Sequence, residues 1–159
     1  MIKVMNYNKI IKWLSYSFFF FSLMTGSSIL FTNFSNEGYK SSPIAPPPWF
    51  FYFIWTTLFF LIGLSLRRLY KLEIKNNKLS TMTWLFITQL ITNILWGMVF
   101  GLTRSLVLSP IILLFTWYFI LATIIELYKI DKVSAHLMIP YLCWVNAAVI
   151  VSIGTAIYN

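Results

Sequence analysis

The sequence predicts an all-α fold: a polytopic membrane protein with five transmembrane helices in one domain over residues 1–159. The first observation is compositional. Charged residues make up 10% of the chain and hydrophobic ones 59%, whereas a soluble domain carries about 25% charged residues. So few charges cannot cover a water-facing surface. The second is where the charges fall, because they leave uncharged stretches at Trp13 to Asn36, Ser41 to Leu66, Leu79 to Thr103, Ser105 to Ile125 and Val133 to Asn159. Each can supply the roughly 20 residues that a spanning helix needs. The third is sign. Five spans place the N-terminus and the second and fourth connections on one side, with ten Lys and Arg residues, and leave only Lys40 and Arg104 on the other. That asymmetry predicts a cytoplasmic N-terminus and an outside C-terminus.

The first span is expected over about 10–31, preceded by Lys3, Lys9 and Lys12. Its apolar run continues past Gly26 to Phe31, longer than the roughly 7 to 15 residues of a signal-peptide core. Residues 33–48 form the longest connection and end in Pro43, Pro46, Pro47 and Pro48. Proline fixes φ and removes a donor, so this segment is expected to be stiff and to end at a helix start, as a lid over the bundle. The second and third spans, about 49–69 and 81–102, flank a basic hydrophilic turn from Arg67 to Ser80. The fourth and fifth, about 106–128 and 134–158, flank Lys129 to Val133; Pro110 and Pro140 are expected near helix starts.

A net charge of +8 does not make this a nucleic-acid binder, because the basic residues sit beside hydrophobic segments and form no face interleaved with exposed aromatics. No span has a charge at its middle, which argues against proton relays and ion-coupled pumping. Glu126 falls at a span end and is expected to be solvated. His136 has no metal-site companions, and Cys143 is the single cysteine, so neither a metal centre nor an intramolecular disulfide is expected.

Inside the spans, Gln89, Asn93 and Trp96 share one face of the third helix. Amides in hydrocarbon must face protein or a cavity. Two readings stay open, hydrogen bonding between helices and the wall of a pocket. Tyr52, Trp55 and Phe59 form a similar stripe on the second helix, and the fifth carries Trp144 with Ala148 one turn on. Such stripes serve packing as readily as binding. Gly97 and Gly101 leave a small-residue spacing that permits close helix approach, as a homodimer seam or inside the bundle.

The segment from Pro46 to Phe59, PPPWFFYFIWTTLF, resembles the signature of the tryptophan-rich sensory protein and translocator protein family. Gln89 to Trp96 with Phe100, Gly101, Leu102 and Arg104 resembles that family's third helix, and Pro140 to Trp144 its fifth-helix motif. The likeness runs through nearly the whole chain in order, with departures at Gly38, where the family usually has Trp, and Phe59, where Tyr is frequent. It implies a five-helix bundle in a bacterial cytoplasmic membrane that binds porphyrins, related tetrapyrroles and flat aromatic drugs beneath the first loop. By motif, the ligand would meet Tyr52, Trp55, Phe59, Gln89, Asn93, Trp96, Trp144 and Ala148. Tyr39, Lys40 and Arg104 would serve the lid and the porphyrin propionates. The implied roles are sensor, scavenger or regulator, with the tetrapyrrole as ligand, no tightly held cofactor, and surrounding lipid and a second copy as partners. Light-dependent porphyrin degradation beside Trp55 and Trp144 is the alternative, with transport a further one; no acid–base pair or nucleophile accompanies the indoles.

Overall fold

The computed structural model describes residues 7–28, 47–72, 76–99 and 105–158. Regular structure among the described residues is all helical: α1 Tyr7–Ser28, α2 Pro48–Lys71, α3 Asn76–Met98, α4 Leu108–Tyr128 and α5 Lys132–Tyr158. α2, α4 and α5 are long and apolar enough to cross a bilayer. α1 and α3 match them in length, at 22 and 23 residues, but carry Lys9 and Lys12, and Lys78, Gln89 and Asn93, respectively.

The helix ends follow local chemistry. Pro47 is extended at φ −61° and ψ 147° and starts α2, with Pro48 at the first helical position, where its missing N–H is no loss. The Phe50 amide donates to the Pro47 carbonyl at 3.0 Å. α2 continues to Lys71, and its last turn sets Arg68 and Lys71 against the negative end of the helix dipole. The connection between α2 and α3 is therefore shorter than the hydrophilic composition of Arg67 to Ser80 predicts, since polar residues suit a helix turn that emerges into water.

Asp131 organises the start of α5. Its Oδ2 accepts from the Ser134 amide at 2.9 Å and the Ser134 hydroxyl at 2.7 Å, a side-chain N-cap. This cap begins the helix at Lys132 and overturns one expectation, because Pro140 then lies inside α5 and not near its start. Pro110 is the third residue of α4, as its spacing predicts. Asp131 also reaches α2 through Arg68, with Arg68 Nε donating at 2.6 Å and Nη2 at 3.2 Å. Just inside this clasp, the Ser65 hydroxyl donates to the Ser134 carbonyl at 3.1 Å.

The helices form a ring in which α1 packs on α2, α2 on α5, α5 on α4, α4 on α3, and α3 returns to α1. Consecutive α2 and α3 are thus not backbone neighbours, and their side chains meet across the middle. The most extensive packing among the described residues is between α1 and α2, where the Ser15 hydroxyl donates to the Gly63 carbonyl at 2.8 Å. A Cβ on Gly63 would stand 2.9 Å from two ring carbons of Phe19. Outside, Trp13, Tyr16, Tyr70, Trp84 and Tyr128 are exposed at the end that carries the basic residues, as aromatic anchors do at a membrane interface.

Candidate functional site

The interior of the ring, away from its basic end, is an aromatic cage. α2 contributes Phe51, Trp55 and Phe59 at four-residue intervals, so all three project from one face. Trp55 stacks on Trp96 of α3, with centroids 6.0 Å apart and planes at 27°, and meets Phe59 at 5.3 Å. Tyr141 of α5 presents its ring to Trp55 at 6.1 Å and 68°. Phe51 is the hub, within 5.9 to 6.2 Å of Trp55, Trp96 and Trp144. Phe18 and Phe21 of α1 close the cage behind Phe59 at 6.0 and 5.9 Å. These are the tilted, offset and edge arrangements that aromatic quadrupoles favour.

Polar groups fix the cage from behind. Asn93 Nδ2 donates to the Tyr141 hydroxyl at 2.8 Å, joining α3 to α5. Trp96 Nε1 donates to Ser109 Oγ on α4 at 2.9 Å, and Ser152 of α5 reaches the same Oγ at 3.4 Å. Gln89 is 1% exposed, and its Nε2 donates to the Thr123 hydroxyl on α4, which donates in turn to the Phe119 carbonyl at 2.7 Å. Among the described residues, three buried polar atoms make no hydrogen bond: the indole nitrogens of Trp55 and Trp144 and Oε1 of Gln89. A buried donor or acceptor left unpaired costs about 1–3 kcal/mol. Trp55 and Trp144 therefore hold two indole donors unused inside an apolar enclosure.

The structure brings together Trp55, Phe59, Trp96 and, through Phe51, Trp144; Asn93 joins them by way of Tyr141. Tyr52 is half-buried and flanks the cage through its edge contact with Phe51 at 5.9 Å. Ala148 is half-buried against the core one turn beyond Trp144, and Gln89 is directed at α4. Tyr39, Lys40, Arg104 and Gly101 lie outside the described residues. Gly97 faces outward, with nothing within 4 Å of where a Cβ would stand. His136 is exposed at the basic end, its Nδ1 2.6 Å from the Lys132 carbonyl, far along α5 from Trp144.

Sequence reasoning missed Phe51, Tyr141 and Ser109. Phe51 was open to discovery, because it precedes Trp55 by one turn, and Tyr141 precedes Trp144 by three residues on the same face. Ser109 had no signal, since its role depends on how α4 packs beside α3.

An aromatic cage inside a five-helix ring, three of whose helices are long and apolar enough to cross a bilayer, defines an integral membrane protein with an aromatic interior. Comparison with known proteins narrows this. The model of the TspO/MBR family matches residues 14–157, and the chain belongs to that family. It is 32% identical over 103 residues to the tryptophan-rich protein TspO of Chlorobaculum tepidum, covering 65% of each chain. It is also 32% identical to the tryptophan-rich sensory protein of Cereibacter sphaeroides, over 65% of this chain and 63% of that one. Protein CrtK of Rhodobacter capsulatus is 27% identical over 70% of each chain. The matched region thus spans just under two thirds of the first two relatives' length.

Proposed function

We propose that this protein is a membrane-embedded binding protein for porphyrins and similar flat tetrapyrroles, acting as a sensor or regulator. The observation that carries the reading is the cage of Phe51, Trp55, Phe59, Trp96, Tyr141 and Trp144, in which two buried indole N–H groups have no acceptor. A porphyrin is a broad π-surface that stacks on indole and phenyl faces, and its carboxylates or a carbonyl substituent accept from indole donors. The cage is packed on itself here, so binding requires the rings to part; Trp55 and Trp96, already nearly parallel, are the pair a flat ligand would separate. A sensory role agrees with the name of the Cereibacter relative.

The test is a titration of the purified full-length protein with protoporphyrin, followed by the shift of the porphyrin absorbance band. Each aromatic contact contributes about 0.5–1.5 kcal/mol, so Trp55→Phe and Trp144→Phe should each weaken binding roughly two- to tenfold, and Asn93→Ala should also weaken it. Equal affinity in all three variants would refute the site.

The orientation reading goes with this proposal. Ten cations on the side of the N-terminus against two on the other support a cytoplasmic N-terminus in a bacterial cytoplasmic membrane. The cage would then open on the side away from the cytoplasm.

A further inference from the structure

The basic end of the ring holds a recess of its own, at the opposite end of the bundle from the cage. A cleft of about 260 Å³ opens between the start of α3 and the end of α4, lined by Lys78, Thr81, Met82, Glu126 and Ile130. Lys78, Thr81 and Met82 follow at three- and four-residue spacing on α3, and Glu126 and Ile130 are four apart on α4, so each helix turns one short stripe toward the other.

The charges inside the cleft do not cancel. Glu126 is held by the ammonium of Lys129 on its own helix, whereas Lys78 makes no ion pair with any described residue. Two lysines against one carboxylate leave a net positive charge at the mouth. Buried Met82 and half-buried Ile130 are the apolar part of the lining. One turn further into the membrane on the same faces, Leu85 and Ala122 are half-buried and apolar, so the groove between α3 and α4 continues as a hydrocarbon surface. Trp84 and Tyr128, exposed on the same two helices, set the mouth at the level of the lipid headgroups.

We propose that this cleft binds the phosphate of an acidic phospholipid, with an acyl chain lying along the α3–α4 groove. The positive mouth selects an anion, and basic pockets between spanning helices are where acidic headgroups bind. Lys78 supplies the unpaired ammonium, a point charge with three donors for phosphate oxygens. A zwitterionic lipid gains less, because its own cation meets a carboxylate that Lys129 already occupies. A free phosphate satisfies the same lysine but gains nothing from the apolar groove, and this favours the lipid as the source of the anion.

The experiment is native mass spectrometry of the full-length protein released from detergent micelles, titrated with phosphatidylglycerol, with phosphatidylcholine of the same chains, or with glycerol 3-phosphate. Wild type should retain one phosphatidylglycerol about fivefold more tightly than phosphatidylcholine, the usual worth of one lysine at a lipid surface. Lys78→Gln should remove that preference and Lys78→Arg should keep it. Arg67→Gln, which takes the same charge from exposed α2 at this end, should leave it unchanged. Thr81→Trp, which fills the cleft from an exposed position without altering charge, should abolish the tight adduct while circular dichroism shows full helix content. Equal retention of the two lipids by wild type would overturn the proposal. Equal losses in Arg67→Gln and Lys78→Gln would do the same, since net charge alone would then explain the preference. Unaltered binding in a folded Thr81→Trp variant would place the lipid elsewhere, and glycerol 3-phosphate held as tightly as phosphatidylglycerol would make the ligand a soluble anion.

Discussion

At the scale of single residues, Asp131 ties two helices together through one carboxylate. It caps α5 through Ser134 and pairs with Arg68 on α2, and these bonds, the Arg68 one foremost, hold its carboxyl down at about 2 against the buried site's pull upward. A carboxyl whose value is lowered on folding stabilises the fold wherever it is ionised in both states, and that contribution is lost as the pH falls through the folded value. Asp131→Ala should therefore lower stability by about 1 kcal/mol at neutral pH, the usual worth of an N-cap. The gap from wild type should hold down to about pH 4, near the unfolded carboxyl value, and close as the pH approaches 2. Thermal melts of both proteins in detergent across that range measure it; a constant gap down to pH 2 would contradict the account. This role was not legible in the sequence, where Asp131 was one charge in a basic turn. The aromatic stripes were legible because helical spacing puts them on one face, whereas the partners of Asn93 and Trp96 depend on which helices adjoin.

Helices in this protein are set as much by what they meet as by their own composition. Sequence spacing found all five because charges at the ends of apolar runs mark where a span must stop. It placed the ends less well, since polar residues at 76–80 extend α3 into water and the Asp131 cap draws α5 back to Lys132, leaving Pro140 within the helix. The contact of α1 with α2 turns on Gly63, whose missing side chain lets Phe19 lie against the backbone. A methyl there would sit 2.9 Å from the Phe19 ring. Gly63→Ala should thus destabilise the protein by about 1–3 kcal/mol, the range for overpacking, even though alanine is the better helix former. Gly97→Ala, which meets open space, is the matched control and should stay at or above wild-type stability. If the two variants melt alike, Phe19 yields without cost and the close approach is not what holds α1 in place.

At the scale of the molecule, the ring order makes the cage, because α2 and α3 are adjacent in sequence but opposed across the interior, where Trp55 stacks on Trp96. No span-by-span reading of hydropathy contains that order. The two ends of the ring differ in chemistry: the end with Arg67, Arg68, Lys71, Lys78, Lys129 and Lys132 is basic, and the cage lies toward the other. If the positive-inside rule sets the topology, the basic end faces the cytoplasm. Single-cysteine variants in a Cys143→Ser background test this at two exposed positions, Lys129 in the turn between α4 and α5 and Ile157 near the far end of α5. With a membrane-impermeant maleimide on intact cells, Ile157→Cys should label and Lys129→Cys should stay protected until the cells are permeabilised. The opposite pattern would invert the molecule and put the end that holds the cage on the cytoplasmic side. Labelling of both positions in intact cells would mean that α5 does not cross the membrane as one helix, which its continuous run from Lys132 to Tyr158 opposes.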